Sequence, residues 1–307
     1  MSEQPGTGLP DETARKLRAA RDALRGLGRA VVAFSGGADS TLALALAVEE
    51  LGAGNVLAAT GVSPVHFQAD LLAARELAGR LGVELVELPT DEMDNPAFTA
   101  NTPERCYVCK LGLLKRLAGL AARHWTASPA DDRRPAVVTG TNADDAGDYR
   151  PGLRAEREAG TVRPLMDAGL TKAEVRAAAR SMGLPNWDRP AMACLATRIP
   201  YGETLTPARL GRIEAAEEAL LAMGFGTCRV RDHGTVARIE LPAGDLEHGL
   251  RRREQIAAAL RGLGYTFVAL DLEGLRSGSM NAGLGMPAAR ARPASGAGQR
   301  RGRSRPG

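Results

Sequence analysis

The sequence predicts an α/β protein, a parallel-sheet domain followed by a smaller α+β unit. Four short apolar runs, AVVAF (30–34), NVLAATGV (55–62), VELVELP (83–89) and AVVTGTN (136–142), have the length and β-branched content of buried strands. Stretches with helical spacing, ten or more residues long, separate the runs. Such strands follow one another through crossovers and pair in parallel, with helices on both faces. Beyond residue 186 the alternation stops, and a hairpin with flanking helices takes over.

In chain order, residues 1–14 are assigned to a disordered N-terminus, although a charged amphipathic pattern predicts a helix over 11–27. The first strand is followed by the turn SGGADS and by a helix from Ser40 to Leu51. After the second strand comes a helix over 67–81, and after the third a helix from about Cys106 to His124. WTASPADDRRP (125–135) reads as a polar surface insertion before the fourth strand. TKAEVRAAARSMGLP reads as a helix capped by Thr171 and stopped at Gly183. Residues 186–205 form a proline-punctuated loop without period, too irregular to be core. A helix (207–223), the hairpin CRVRDHGTVARIEL (228–241), a helix (245–261) and a strand (265–272) complete the pattern. The expected division is a parallel-sheet domain over 15–205 and an α+β domain over 206–283.

Composition narrows the function. A chain of 307 residues with 44% hydrophobic content can build two ordinary cores. No apolar run reaches membrane-spanning length and the first residues lack a signal-peptide layout, so a cytoplasmic protein with no membrane partner is expected. The pI of about 9.1 belongs to the end of the chain. Residues 283–307 hold six arginines and no acid, so a whole-chain charge of +4 leaves −2 on the remainder. Residues 284–307 read as a disordered Arg/Gly/Pro tail, and an acidic remainder argues against nucleic acid. Four cysteines (106, 109, 194, 228) in a reducing compartment read as thiols or metal ligands rather than disulfides.

The turn carries the first chemical signal. Gly36 and Gly37 permit backbone angles that aim consecutive amides at one point, at a helix N-terminus suited to an anion. Ser35 and Ser40 add hydroxyls, and Asp39 can hold Mg²⁺ or orient phosphate. No GKS or GKT follows, so this is not the lysine-containing P-loop. The plain alternative, a capped strand–helix turn, does not explain the whole set. Gly140, Asn142, Asp144 and Asp145 in VVTGTNADD lie at a second strand end where such sheets open a ligand crevice, and Asp145 is a second candidate for Mg²⁺.

At SGGxDS the sequence resembles the PP-loop ATP pyrophosphatases, a Rossmann-like, adenine nucleotide alpha-hydrolase-like superfamily. The resemblance implies ATP and Mg²⁺, and adenylation of a substrate oxygen that a nucleophile then displaces with release of AMP. GTNADDAGDYRPGLRA, GLTKAEVR, WDRPAMACLATRIPYG, RVRDHGTVARIE and LDLEGLRSGSMN together resemble the LarE family of ATP-dependent sulfur transferases in nickel-pincer nucleotide biosynthesis. This likeness spans about residues 15–282. It implies a pyridinium dicarboxylate mononucleotide substrate, partner enzymes of the same pathway and a homo-oligomer. It also implies that Cys194 attacks the acyl-adenylate and gives up its sulfur, leaving dehydroalanine. Arg189 and Arg198 lie nearby in sequence, and a cation favours thiolate. Arg229 and Arg231, alternate residues on one strand face, with Glu217 on the preceding helix, would take the substrate phosphate; an exposed strand face is the alternative reading.

The sulfur source stays open. Cys106 and Cys109 are one helical turn apart, and with Cys194 they make three thiolates for a [4Fe–4S] cluster with an open iron. Sulfide on that iron would then replace the sacrificial cysteine. Cys228 reads as structural. Two other functions remain: a tRNA thiolase, supported by the Arg tail alone, and a non-catalytic nucleotide sensor.

Overall fold

The computed structural model describes residues 8–125, 135–147, 151–190, 193–276 and 279. The tail 284–307, the start of the chain and most of the insertion at 126–134 lie outside the described residues. Helix α1 (Asp11–Arg25) begins inside the segment expected to be disordered, because Thr13 is buried beneath Glu174 and Leu17, Ala20 and Leu24 face the core. Then follow β1 (Ala30–Ala33), α2 (Ala38–Leu51), β2 (Val56–Val62), α3 (Gln68–Arg80), β3 (Leu85–Pro89), α4 (Pro96–Thr99), α5 (Arg105–His124) and β4 (Ala136–Thr139). Next come α6 (Pro151–Glu158), α7 (Pro164–Asp167), α8 (Lys172–Ser181), α9 (Pro207–Ala222), β5 (Arg229–His233), β6 (Val236–Glu240), α10 (Leu246–Arg251), α11 (Arg253–Gly262) and β7 (Phe267–Leu270).

The first four strands form one parallel sheet in the order β3-β2-β1-β4. Side chains alternate across it. Ala30 and Val32 join a core with α1, α2 and α8, whereas Val31 and Leu57 meet Leu114, Leu117 and Ala121 of α5 on the other face. Helix α2 is buried almost all round from Ala38 to Ala47, which its small residues permit. Because β2 and β4 leave β1 in opposite directions, the sheet reverses between β1 and β4, where α/β sheets open a crevice at the strand carboxyl ends.

The chain divides into two compact units, residues 1–215 and 216–307, and the division falls inside α9 rather than before it at Leu205. In the second unit β5 and β6 pair antiparallel as the hairpin pattern predicts, while β7 adds parallel to β6. The helix expected over 245–261 is two helices meeting at Arg252. Cys228 is buried in this unit's core, its thiol against the Glu217 carbonyl.

The segment 186–205 corrects the sequence reading. Leu195, Ala196, Ile199 and Leu205 are core, packed with Val65, Phe67, Phe98, Leu210 and Ile213. The segment lacks a period because it is threaded through other elements instead of lying along one: Leu195 N–H donates to the Val65 carbonyl at 2.9 Å, and Leu205 N–H to Thr99 at 2.9 Å.

Candidate active site

The turn after β1 is built as its glycines require. Gly36 has φ +69°, in the left-handed region that glycine tolerates. Gly37, at the N-cap of α2, makes no side-chain cap hydrogen bond, so the first amides of the helix lack the usual capping oxygen. Ser35 N–H donates to Ser40 Oγ at 3.2 Å, Ser40 Oγ to the Gly37 carbonyl at 3.1 Å, and Thr41 Oγ1 to the same carbonyl at 2.9 Å. From 150 positions away, Asn186 Nδ2 donates to the Gly36 carbonyl and to Thr41 Oγ1, both at 2.9 Å. Sequence reasoning missed Asn186, since nothing local marks it.

Gly140 lies against this turn. A Cβ there would stand 2.6 Å from both Cα and N of Ser40, so only glycine lets the end of β4 touch the helix start. Asn142 and Asp145, expected to meet nucleotide and Mg²⁺, are both buried and brace their own loop. Asp145 Oδ2 accepts from Asn142 N–H at 3.0 Å, and Asn142 Oδ1 from Asp144 N–H at 3.0 Å.

Asp39 lies in the first turn of α2. One carboxylate oxygen takes the ammonium of Lys172; the other is buried with no hydrogen-bond partner among the described residues. Burial pushes the Asp39 carboxyl up, Lys172 opposes the shift and nearby Asp145 adds to it. An orphaned carboxylate oxygen beside a phosphate loop suits Mg²⁺, which binds through one or two carboxylates plus substrate phosphates. Lys172 also escaped the sequence reading, although its stretch, TKAEVR, was singled out.

Between the loop and Cys194 runs one cavity of about 250 Å³. Ser35 and Gly37 line it from the turn, Thr60 and Gly61 from β2, His66 and Asp70 from around the start of α3, and Arg189 and Cys194 from the irregular segment. Arg189 pairs with Asp70 at 2.6 Å. Burial lowers the pKa of His66, against the pull of Glu92 and Asp70.

Arg198 is 1% exposed and acts as a clamp on the cysteine turn. Its guanidinium donates to the Ala193 carbonyl at 2.7 Å, the Cys194 carbonyl at 3.4 Å and Thr197 Oγ1 at 2.9 Å, and stacks over Phe67 at 5.2 Å. Cys106 is exposed on the first turn of α5, while Cys109 and Cys194 are half-buried on one apolar cluster. Burial, then Cys194, Glu92 and Cys106, push the Cys109 thiol well up. The donor chemistry suits an iron–sulfur cluster, but the arrangement does not: no three or more His, Cys, Asp or Glu side chains among the described residues are set to hold a metal.

In the second unit Arg231 and Glu240 form a buried ion pair at 2.6 Å, and Ser279 Oγ accepts from Arg231 at 2.8 Å. Glu217 is buried and accepts the Val230 N–H at 2.9 Å, which fixes β5 to α9. Arg229 is half-buried at the strand start. Among the described residues no helix is long and apolar enough to cross a membrane.

Comparison with known proteins places the site in context. The sequence pattern of the NAD synthase family matches residues 21–119, the stretch that holds β1, the phosphate turn and β2. An uncharacterized protein of Synechocystis sp. is 38% identical over 268 residues, 87% of this chain and 97% of that protein. An uncharacterized protein of Methanocaldococcus jannaschii is 30% identical over 247 residues, 80% of this chain and 90% of that one. The pyridinium-3,5-bisthiocarboxylic acid mononucleotide synthase of Lactiplantibacillus plantarum is 39% identical over 259 residues, 84% of this chain and 91% of the synthase. At that identity and coverage, the chain belongs to the pyridinium-3,5-bisthiocarboxylic acid mononucleotide synthase family, the LarE sulfur transferases.

Proposed function

We propose that this chain adenylates a ring carboxylate of a pyridinium-3,5-dicarboxylate mononucleotide and replaces the adenylate with sulfur from Cys194, so that two copies of the chain, one sulfur each, are consumed per bis-thiocarboxylate. The observation that carries the reading is that the phosphate turn and Cys194 line one cavity, so an acyl group tethered to adenosine has a thiol within its own enclosure. Amides of the α2 N-terminus with Ser35 and Ser40 hold the departing pyrophosphate. Asp39, supported by Asp145, would hold Mg²⁺, which supplies neutralisation of phosphate charge. A carboxylate oxygen is a poor leaving group; joined to AMP it becomes a good one. The Cys194 sulfur then forms the new C–S bond as the C–O bond to AMP breaks. Arg198 aids this step as a positioning residue, through the two carbonyls it clamps. Loss of the Cys194 Cα proton and cleavage of Cβ–S would release the thiocarboxylate and leave dehydroalanine. Arg229, half-buried at the start of β5, would take the substrate phosphate, and Arg231, held by Glu240, would lend charge to it with Glu217 as support. Family resemblance supports a homo-oligomeric cytoplasmic enzyme working beside others of its pathway, with no role for nucleic acid.

A second reading keeps the adenylation but takes the sulfur from a donor outside the chain, leaving Cys194 intact. The test is anaerobic reaction with ATP, Mg²⁺ and the pyridinium substrate, followed by mass spectrometry. The sacrificial reading expects pyrophosphate release and a loss of about 34 Da at Cys194. Intact Cys194 with multiple turnovers would move the assignment to the second reading. No pyrophosphate release would leave only a nucleotide sensor, and loss of sulfur transfer on deletion of 284–307 would point to RNA.

A further inference from the structure

The phosphate turn has no lysine of its own, and the structure brings one from 133 positions away. We infer that Lys172, with Arg176 one turn further along α8, is the cation of the phosphate site. Lys172 is held by Asp39 in the structure and would pass to the phosphoryl oxygens when the triphosphate binds. The inference rests on the proposed ATP chemistry and extends it to residues that the loop motif does not contain.

Four observations converge. Asp39 offers one oxygen to Lys172 while the other is buried with no partner among the described residues, so the carboxylate is only half used. Arg176 lies four residues after Lys172, on the same face of α8, and acts on the Asp39 carboxylate through space. Its Nε is buried with no hydrogen-bond partner among the described residues, while its Nη2 donates a long bond to the Arg189 carbonyl, at 3.5 Å. Third, both cations stand beside the positive end of the α2 dipole, a poor place for positive charge until an anion covers the helix amides.

The fourth observation concerns what is fixed. Lys172 N–H donates to Asp144 Oδ2 at 3.1 Å, Thr171 and Glu174 form a complete capping box, and Glu174 is tied to Lys16 at 2.9 Å. The backbone of Lys172 is therefore anchored to the loop after β4 and to α1, while its side chain is 27% exposed. A change of partner needs only rotation of a four-carbon stem. No covalent bond changes. The ammonium exchanges one carboxylate contact for charge-assisted hydrogen bonds to phosphate, and Asp39 is released to its proposed metal role.

The test reads binding rather than turnover, by calorimetry on the full chain with inorganic pyrophosphate. With Mg²⁺ present, Lys172→Met should weaken pyrophosphate binding by about 10- to 100-fold, Arg176→Met by about 10-fold, and Lys172→Arg by less than about fivefold. A neutral pair removes the fold as an objection. Asp39→Asn and Asp39→Asn/Lys172→Met, compared in Mg²⁺-free pyrophosphate, should still differ by about 10-fold or more. Equal affinity for these two variants would make Lys172 a mere counter-charge for Asp39 and overturn the inference, leaving the ATP chemistry intact. A wild-type chain that binds neither pyrophosphate nor ATP would overturn both.

Discussion

Residues 35–41 and 193–202 border the same cavity, but the first segment is shaped mainly by bonds within itself and the second by bonds from elsewhere. In the phosphate turn, Ser35, Gly37, Ser40 and Thr41 satisfy one another across two to five positions. The cysteine segment depends on Val65 for one amide and on Asn101 for two carbonyls, with Nδ2 reaching Ile199 O at 3.3 Å and Pro200 O at 2.7 Å. Asn101 is fully buried at φ +53°, and its Oδ1 takes the buried Arg105. Arg198 clamps the turn locally, but its ring partner, Phe67, lies across the cavity wall. A self-bonded turn presents a fixed set of amides to an anion. A segment held from outside can place a side chain wherever the rest of the fold needs it.

That contrast can be broken from either side. The largest effect is expected from Cys194→Ala, which should abolish sulfur transfer, by at least about 10³-fold, and leave ATP affinity within about twofold; single-turnover assays and calorimetry read the two. A loss of ATP binding in that variant would mean that the two segments are not separable. Next is Gly140→Ala, whose added methyl meets Ser40 backbone at 2.6 Å. It should cost about 2–4 kcal/mol in denaturant unfolding and weaken ATP binding at the same time, since the helix start itself must shift.

Asn101→Ala strikes the cysteine segment alone. It removes two hydrogen bonds, strands a buried arginine and leaves alanine at positive φ, for about 2–3 kcal/mol. Sulfur transfer should fall more than pyrophosphate affinity does; the reverse would show that the cysteine segment also shapes the phosphate site. The smallest effect is at Glu174. Burial would raise its pKa, but the Thr171 N–H, Lys16 and the Thr171 hydroxyl together bring it down to about 2 from 4.5. A folded value below the unfolded one stabilises above pH 4.5 and is lost as pH falls toward 2. Because the group lies close to water, Glu174→Gln should cost only about 1 kcal/mol at pH 7, and the difference from wild type should shrink in acid.

The sequence was readable where structure is local. Four strands, the glycine turn and the Thr171 cap, here with its partner Glu174, follow from apolar run length, from the angles open to glycine and from an i to i+3 hydrogen bond. Helices α4, α6 and α7 escaped because four to eight residues carry no period. Their only signal is a proline at the first helical position, preceded in α4 by the Asn95 cap. The cysteine segment was misjudged as non-core for a related reason: burial of Leu195, Ala196 and Ile199 comes from being threaded between other elements, which leaves no repeat to count.

By itself the sequence determined the strands of the sheet and the phosphate turn, because each is written in neighbouring residues. Tertiary structure alone decided that Lys172 meets Asp39, that Asn186 braces the turn and that Asn101 supports the cysteine segment. Those contacts span 98 to 150 positions. At that range the partner of a polar side chain is set by where the chain folds back, and no local pattern records it.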